Sequence, residues 1–187
     1  MVYTLSGMPL GRMLVAATDK GVCAVTLGDD DAALKTALRR EYPAAQSTPE
    51  GIAPDESGLD GWVETLLRHL AGEQPHLDLP LDVRATAFQR QVWQALQAIP
   101  YGETRSYMQI ADAIGRPTAA RAVAQACASN PVALVIPCHQ AVRGSGGLSG
   151  YRWGISRKQA LLEREKSECE ALTRADTLPP KPPAGRI

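Results

Sequence analysis

The sequence lacks a C-x-x-C pair, a phosphate loop and any apolar run long enough to cross a bilayer, and each absence removes a class of function. Cys23, Cys127, Cys138 and Cys169 stand too far apart for a zinc ribbon or a thioredoxin motif. In a reducing compartment they are free thiols, and the plain reading of any one of them is a small buried hydrophobe. The longest purely apolar stretch, Val132 to Pro137, has only the length of a strand. No N-terminal segment reads as a signal peptide or membrane span, so the expectation is a soluble cytoplasmic protein with no membrane partner. Nor is there an internal repeat. Apolar residues make up 44% of the 187, enough to exclude general disorder and to fill the core of one domain or two small ones.

Net charge is zero but unevenly placed. Met1 to Ala85 carries 7 Lys and Arg against 13 Asp and Glu, whereas Thr86 to Lys166 carries 10 against 4. An acidic half and a basic half point to a polyanion met by the second half alone; an ordinary solvated surface also explains such an imbalance.

The first half, residues 1–82, reads as a small α/β domain. Tyr3 to Leu5, Met13 to Ala17 and Val22 to Leu27 alternate or cluster as strands. Asp29 to Arg40 reads as a helix, acidic at its start and basic at its end, as the macrodipole favours. Pro43 to Ser57 is loop-like, Leu59 to Leu70 is a second helix, and Leu77, Leu79 and Leu81 alternate with polar residues and proline as an edge strand would. His69 and His76 have no evident partner and read as surface residues.

The second domain spans 86–167. Thr86-Ala87-Phe88-Gln89 and Ser106-Tyr107-Met108-Gln109 are capping boxes that open helices ending at Pro100 and Gly115. Pro117 then suits the first turn of a helix running to about Ser129. Two short helices joined by Gly-Arg-Pro form a helix-turn-helix pattern, used by many proteins for packing alone and by others for DNA. Residues 168–187 read as a flexible tail.

Val132 to Ile136 is an apolar, β-prone run, consistent with a buried strand that Pro137 ends. Cys138-His139 would then sit where a core strand emerges, a thiol beside an imidazole. Adjacent side chains of an extended chain point to opposite faces, so their communication needs a sharp turn or a relaying water. Ser156-Arg157-Lys158-Gln159 is another capping box, opening a helix through Glu165. Glu165 shares a face with Leu161 and Leu162, which turn it inward, where a carboxylate must be paired. His139 is the candidate partner; the other reading is a helix end at which Glu165 reaches solvent. Arg143 to Tyr151 is rich in glycine, marking a flexible turn or a close backbone approach.

Ile136-Pro137-Cys138-His139 followed by Gly-x-Leu-x-Gly-Tyr resembles the 6-O-alkylguanine-DNA alkyltransferase family, in particular the alkyltransferase half of bacterial adaptive-response regulators. The resemblance runs from Gly11-Arg12 through Leu162. It implies a ribonuclease H-like small sheet with helices, then a mainly α, winged-helix-like domain carrying the helix-turn-helix. It also implies a suicidal, stoichiometric methyltransferase that needs no metal or cofactor. The partner would be double-stranded DNA carrying 6-O-alkylguanine, with 4-O-alkylthymine a further candidate, and the protein would act as a monomer.

By the same resemblance Cys138 is the alkyl acceptor, His139 the base acting through a water, Glu165 the carboxylate orienting it, and Asn130 the brace of the active-site turn. Tyr107 presses on the target phosphate and helps protonate the leaving guanine. Arg121 fills the gap of the flipped base on an alanine-rich helix laid in the minor groove, with Thr118, Ala120 and Gln125 beside it. Tyr151 and the glycine-rich loop form a lid, and Ala133, Ala141, Arg152 and Trp153 line the guanine pocket. Relatives that take bulky groups tend to have Pro at 133 and Gly at 153, so Ala133 and Trp153 favour methyl over benzyl. Gln140 stands where the family usually has Arg, so an ion pair is missing. Two other readings remain: a lesion-binding or regulatory helix-turn-helix module without catalysis, and a cysteine hydrolase built on Cys138, His139 and Glu165.

Overall fold

Three short, strongly apolar segments separated by tight turns pair as an antiparallel meander: β1 (Val2–Met8), β2 (Gly11–Thr18) and β3 (Gly21–Gly28). The computed structural model describes residues 1–47, 58–148 and 150–176; Ser149, most of the expected 43–57 loop and the end of the expected tail lie outside them. After α1 (Asp31–Glu41), β4 (Gln46–Ser47) pairs parallel to β1 within the stretch expected to be loop, giving the order β3-β2-β1-β4. The central strand is buried on both faces, so it reads as continuous apolar sequence. Leu14 and Ala16 pack with Leu34 and Leu38 of α1, while Met13, Val15 and Ala17 face the main core with α2 (Leu59–Leu70) and the second half of the chain. Helix α1 starts two residues later than expected because Asp30 is the N-cap, accepting from the Ala33 N–H at 2.7 Å. Asp29 instead meets Arg157.

The outer edge of β3 is covered by two single-residue bridges, Val22 to Leu81 and Val25 to Val132. The expected strand at 77–82 therefore shrinks to one pairing. Leu77, Leu79 and Leu81 do turn inward, but the chain touches β3 only at Val22, bonding through Pro80 O at 2.8 Å and the Asp82 N–H at 2.9 Å. Gly21 permits that approach: at φ +144° its added Cβ would lie 2.3 Å from Pro80 O.

The second half is helical: α3 (Ala87–Gln97), α4 (Tyr107–Ala113), α5 (Ala120–Ala128) and α6 (Ile155–Asp176). Two of the three expected capping boxes are formed, by Thr86 with Gln89 and by Ser106 with Gln109. α4 ends in a Schellman turn, with Gly115 at φ +69° and the Arg116 N–H bonded to Ala111 O at 2.8 Å. α5 begins at Ala120, three residues after Pro117, because residues 117–118 form a turn. Arg105 and Ser106 (β5) pair parallel with Ala141 and Val142 (β6), tying the start of α4 to the chain just past Cys138.

Two expectations at the C-terminal end are corrected. α6 starts at Ile155, before Ser156, with the Lys158 N–H bonded to Gly154 O, so Ser156 lies inside the helix. It also continues past Glu165 to Asp176, where a tail was expected from residue 168. Glu168 accepts from the Tyr101 hydroxyl at 2.5 Å and from Arg164 Nε at 2.8 Å, which stabilises the extra turns.

Candidate active site

The apolar run Val132 to Ile136 is buried as its composition dictates, but it is a series of turns rather than a strand. Composition reports burial, and extension was assumed with it. Val132 makes one bridge to β3; then Leu134 adopts φ +69°, a conformation costing about 1–2 kcal/mol for a residue with a Cβ. The polar backbone is satisfied locally and by neighbours. Ala133 N–H donates to Val25 O at 2.9 Å, Ile136 N–H to Val132 O at 3.2 Å, and Gln97 Nε2 to Val135 O at 3.4 Å.

Asn130 closes this loop. Fully buried, it donates through Nδ2 to Ile136 O at 2.8 Å and to Cys138 Sγ at 3.2 Å, and accepts from the Val132 N–H at 2.9 Å. Cys138 therefore opens a 3-10 turn (138–140) with its sulfur already holding one donor. Burial nonetheless pushes the thiol up to about 11, against the opposing pull of Asn130, Lys158 and Arg152.

His139, also fully buried, meets Glu165 with Nε2 to Oε1 at 2.5 Å. On the inward face of α6 Leu161 and Glu165 are buried while Leu162 is half-buried, so the solvent-reaching alternative for Glu165 falls. Burial alone would raise the Glu165 carboxyl, but the His139 charge and hydrogen bond, a bond from Gln140 and the His69 charge hold it below its ordinary value. Gln140 Nε2, from the position where the family usually has Arg, donates to Glu165 Oε2 at 2.8 Å. His139 Nδ1 has no protein partner among the described residues. The turn sets Cys138 and His139 side by side without a direct hydrogen bond, which leaves the relay route open.

A cavity of about 20 Å³ adjoins the sulfur, lined by Tyr107, Ala124, Cys127, Cys138, Gly150, Tyr151 and Arg152 among others. That is room for about one water. It borders an open cleft of about 540 Å³ along α4 and α5, where Tyr107, Met108, Ala120, Arg121 and Arg143 meet. Thr118, Arg121 and Gln125 are exposed, with Thr118 just ahead of α5 and the other two on it. Of the expected pocket residues, Tyr151 and Arg152 line the small cavity. Ala133, Ala141 and Trp153 line neither space: Ala133 bonds to β3, Ala141 pairs in β6, and Trp153 is buried under Tyr151 with ring centroids 5.1 Å apart. The Tyr151 hydroxyl is buried without a protein partner among the described residues.

Two residues escaped the reading of the sequence. His69, taken as exposed, is buried on α2; its Nδ1 lies 2.7 Å from Gln74 O and its ring packs edge-on against Tyr101. Burial lowers its pKa. Lys158 is also fully buried, and periodicity could have found it, since it lies three residues before Leu161 and seven before Glu165 on the same stripe. In the sequence it stands out only as part of the Ser156–Gln159 capping box.

Family models match almost the whole described chain. One, described as the ribonuclease-like domain of 6-O-methylguanine DNA methyltransferase, covers residues 1–83; the other, the DNA binding domain of the same protein, covers 87–167. The bifunctional transcriptional activator/DNA repair enzyme Ada of Escherichia coli is 53% identical over 163 residues, 87% of this chain and 45% of that protein. This chain thus spans less than half the length of the Ada relatives. The methylated-DNA–protein-cysteine methyltransferase of Mycolicibacterium paratuberculosis is 44% identical over 82% of this chain and 92% of its own. A crystal structure of Mycobacterium tuberculosis OGT in complex with DNA superposes with a TM-score of 0.76 at 39% identity, covering 90% of this chain and 94% of that one. With both domains matched and the buried Cys-His-Glu set in place, the chain belongs to the 6-O-methylguanine DNA methyltransferase family.

Proposed function

We propose that this chain repairs DNA by direct reversal, moving an alkyl group, chiefly methyl, from the 6-oxygen of guanine in duplex DNA onto Cys138. The observation that carries the reading is the thiol held at Asn130 on a 3-10 turn, beside a His139–Glu165 pair, in a small cavity that shares Tyr107, Ala124 and Gly150 with the cleft edged by Arg121 and Arg143. The relatives named methylated-DNA–protein-cysteine methyltransferase, and the DNA complex of the mycobacterial structure, support it.

Cys138 is the acceptor. Because burial disfavours the thiolate, its proton leaves as the alkyl group arrives. His139 Nδ1 takes that proton through a water, and Glu165 stabilises the resulting imidazolium. The sulfur lone pair forms the S–C bond while the C–O pair returns to guanine, which regains a proton at the end; Tyr107 assists there. The product is a thioether, stable to water, and the neighbouring Cys127 thiol is kept protonated by burial, so one chain serves once. Arg121 and the small residues of α5 approach the minor groove, and Arg121 fills the stack when the base turns out. Thr118, Ala120 and Gln125 flank that contact. Tyr151 and Arg152 must swing aside, since the cavity at the sulfur is far smaller than a purine.

The test is intact mass after incubation with duplex DNA bearing 6-O-methylguanine. One added methyl per chain, on Cys138, with none in Cys138→Ser, is the expected result. Unchanged mass with retained DNA affinity would make the chain a binding module, and repeated turnover would make it a hydrolase-type enzyme.

A further inference from the structure

One wall of the cavity at the sulfur is a short turn, Tyr151 to Gly154, closed by the Gly154 N–H to Tyr151 O at 3.0 Å. Tyr151 and Arg152 line the cavity and must move before a purine enters. Upstream, the turn hangs from a segment carrying Gly144, Gly146, Gly147 and Gly150, whose backbone is the least restrained of any residue type. Its restraint lies downstream, at Arg157 in the first turn of α6. All three guanidinium nitrogens are engaged: Nη1 donates to Trp153 O at 2.9 Å, Nε to Leu10 O at 3.0 Å, and Nη2 meets Asp29. Leu10 lies in the turn between β1 and β2, and Asp29 directly follows β3. One side chain thus fastens the end of the cavity wall to two points of the N-terminal sheet. Gly11 keeps the place open, since a Cβ there would lie 3.2 Å from Nη2. The Arg157 side chain is 15% exposed and Asp29 is exposed, so the two carbonyls are the firmer holds. Arg152 and Glu41, 3.5 Å apart, also join the wall to the N-terminal half, but both side chains are well exposed and such pairs are weak.

We propose that Arg157 is a specificity-determining residue for alkyl transfer: by fastening the Trp153 carbonyl to the N-terminal sheet it holds the Tyr151–Gly154 turn closed over Cys138, and so limits which alkyl donors reach the sulfur. Outward movement of the turn breaks the bond to Trp153 O or pulls the guanidinium off Leu10 and Asp29. A free alkylated base brings only its own contacts to offset that cost. A duplex adds those of α5 and the cleft. The N-terminal half, which holds neither the thiol nor the His139–Glu165 pair, thereby helps to select DNA over free base. The inference rests on the proposed alkyl transfer.

Arg157→Met keeps an apolar stem and removes all three bonds. Opening of the turn should become about tenfold more favourable, the factor that one charge-assisted hydrogen bond supports. Two readouts should rise together by that factor: inactivation by free 6-O-benzylguanine, and hydrogen exchange at the Gly154 N–H, whose bond to Tyr151 O breaks on opening. Methyl transfer from duplex DNA should not gain, so selectivity for DNA over free base falls about tenfold. Exchange at the buried Val15 and Val92 amides should stay as in the parent. A merely structural role would speed exchange at all these amides and leave the selectivity unchanged, and that outcome overturns the inference. Arg157→Lys keeps the charge but puts a point donor in place of the fork; it should show the same paired rises, smaller, and decides the matter if Arg157→Met does not fold. Unchanged Gly154 exchange in a folded variant refutes the clamp whether or not the protein transfers alkyl groups. A parent protein that gains no methyl group from duplex DNA refutes the alkyl-transfer reading instead.

Discussion

Replacing Glu165 with glutamine keeps the shape of the side chain and removes its charge. Both carboxylate oxygens accept, Oε1 from His139 Nε2 at 2.5 Å and Oε2 from Gln140 Nε2 at 2.8 Å. A glutamine can still accept from His139, but its NH2 then faces the NH2 of Gln140. Rotation of the Gln140 amide resolves the clash, because Gln140 Oε1 is buried without a partner among the described residues and can take the new donor. Folding should therefore survive. What is lost is a charge-assisted bond to the imidazolium, about 1.5–3 kcal/mol, so single-turnover transfer should slow by about ten- to a hundredfold with DNA affinity unchanged. The pH dependence of stability follows too. The Glu165 carboxyl is held below its ordinary value, despite burial, by His139, Gln140 and His69. It thus adds stability above the unfolded carboxylate range, and that stability disappears as pH falls through the folded value. Thermal midpoints of Glu165→Gln should accordingly fall less steeply toward acid. Transfer within twofold of the parent, or an acid profile identical to it, would refute the pairing argument.

Asn130→Ala removes two donations and one acceptance inside the core; at about 1–3 kcal/mol for each group left unpaired, the thermal midpoint should drop sharply, and the Cys138 thiol should titrate higher in whatever remains folded. Arg121→Ala, altering an exposed side chain at the cleft edge, should leave stability unchanged and slow transfer in duplex DNA far more than reaction with free 6-O-methylguanine; equal slowing of both would remove its role in base extrusion. Free 6-O-benzylguanine should inactivate the parent slowly, since the space at the sulfur is about 20 Å³. Trp153→Gly should admit it faster by freeing Tyr151, at a stability cost of about 3–5 kcal/mol for a buried indole; no gain in inactivation rate would show that Tyr151 does not depend on that support.

Local rules made much of this chain legible. The two capping boxes, the glycine turn after α4 and the inward Leu161–Glu165 stripe depend on contacts within a few residues, and the structure keeps them. The misreadings share one cause, which is that burial comes from distant partners. Val132 to Ile136 looks like a strand because it is apolar and β-branched, yet β3 offers it one bridge and Asn130 bends the rest. His69 looks exposed until Tyr101 and the 72–74 turn cover it. Trp153 and Ala133 look like pocket walls from their place in the motif. The structure uses them behind the wall, one under Tyr151 and the other against β3.

If each chain is used once, as proposed, a thiol kept neutral by burial suits that use better than the ionised sulfur of ordinary cysteine catalysis. A permanently ionised sulfur would react with any electrophile that reached it, and a protein that cannot restore its thiol would be spent without repairing anything. Burial prevents this by making the resting thiolate costly. The groups that would offset the cost, Asn130 on the sulfur and Glu165 behind His139, are already fixed in place. They cannot lower the barrier until the Tyr151 side of the cavity opens and an alkylated base brings its carbon to the sulfur. Reactivity is then gated by access rather than by resting ionisation. Removing a pre-set group such as Glu165 should consequently slow the chemical step while leaving the selectivity for alkylated over normal guanine nearly intact.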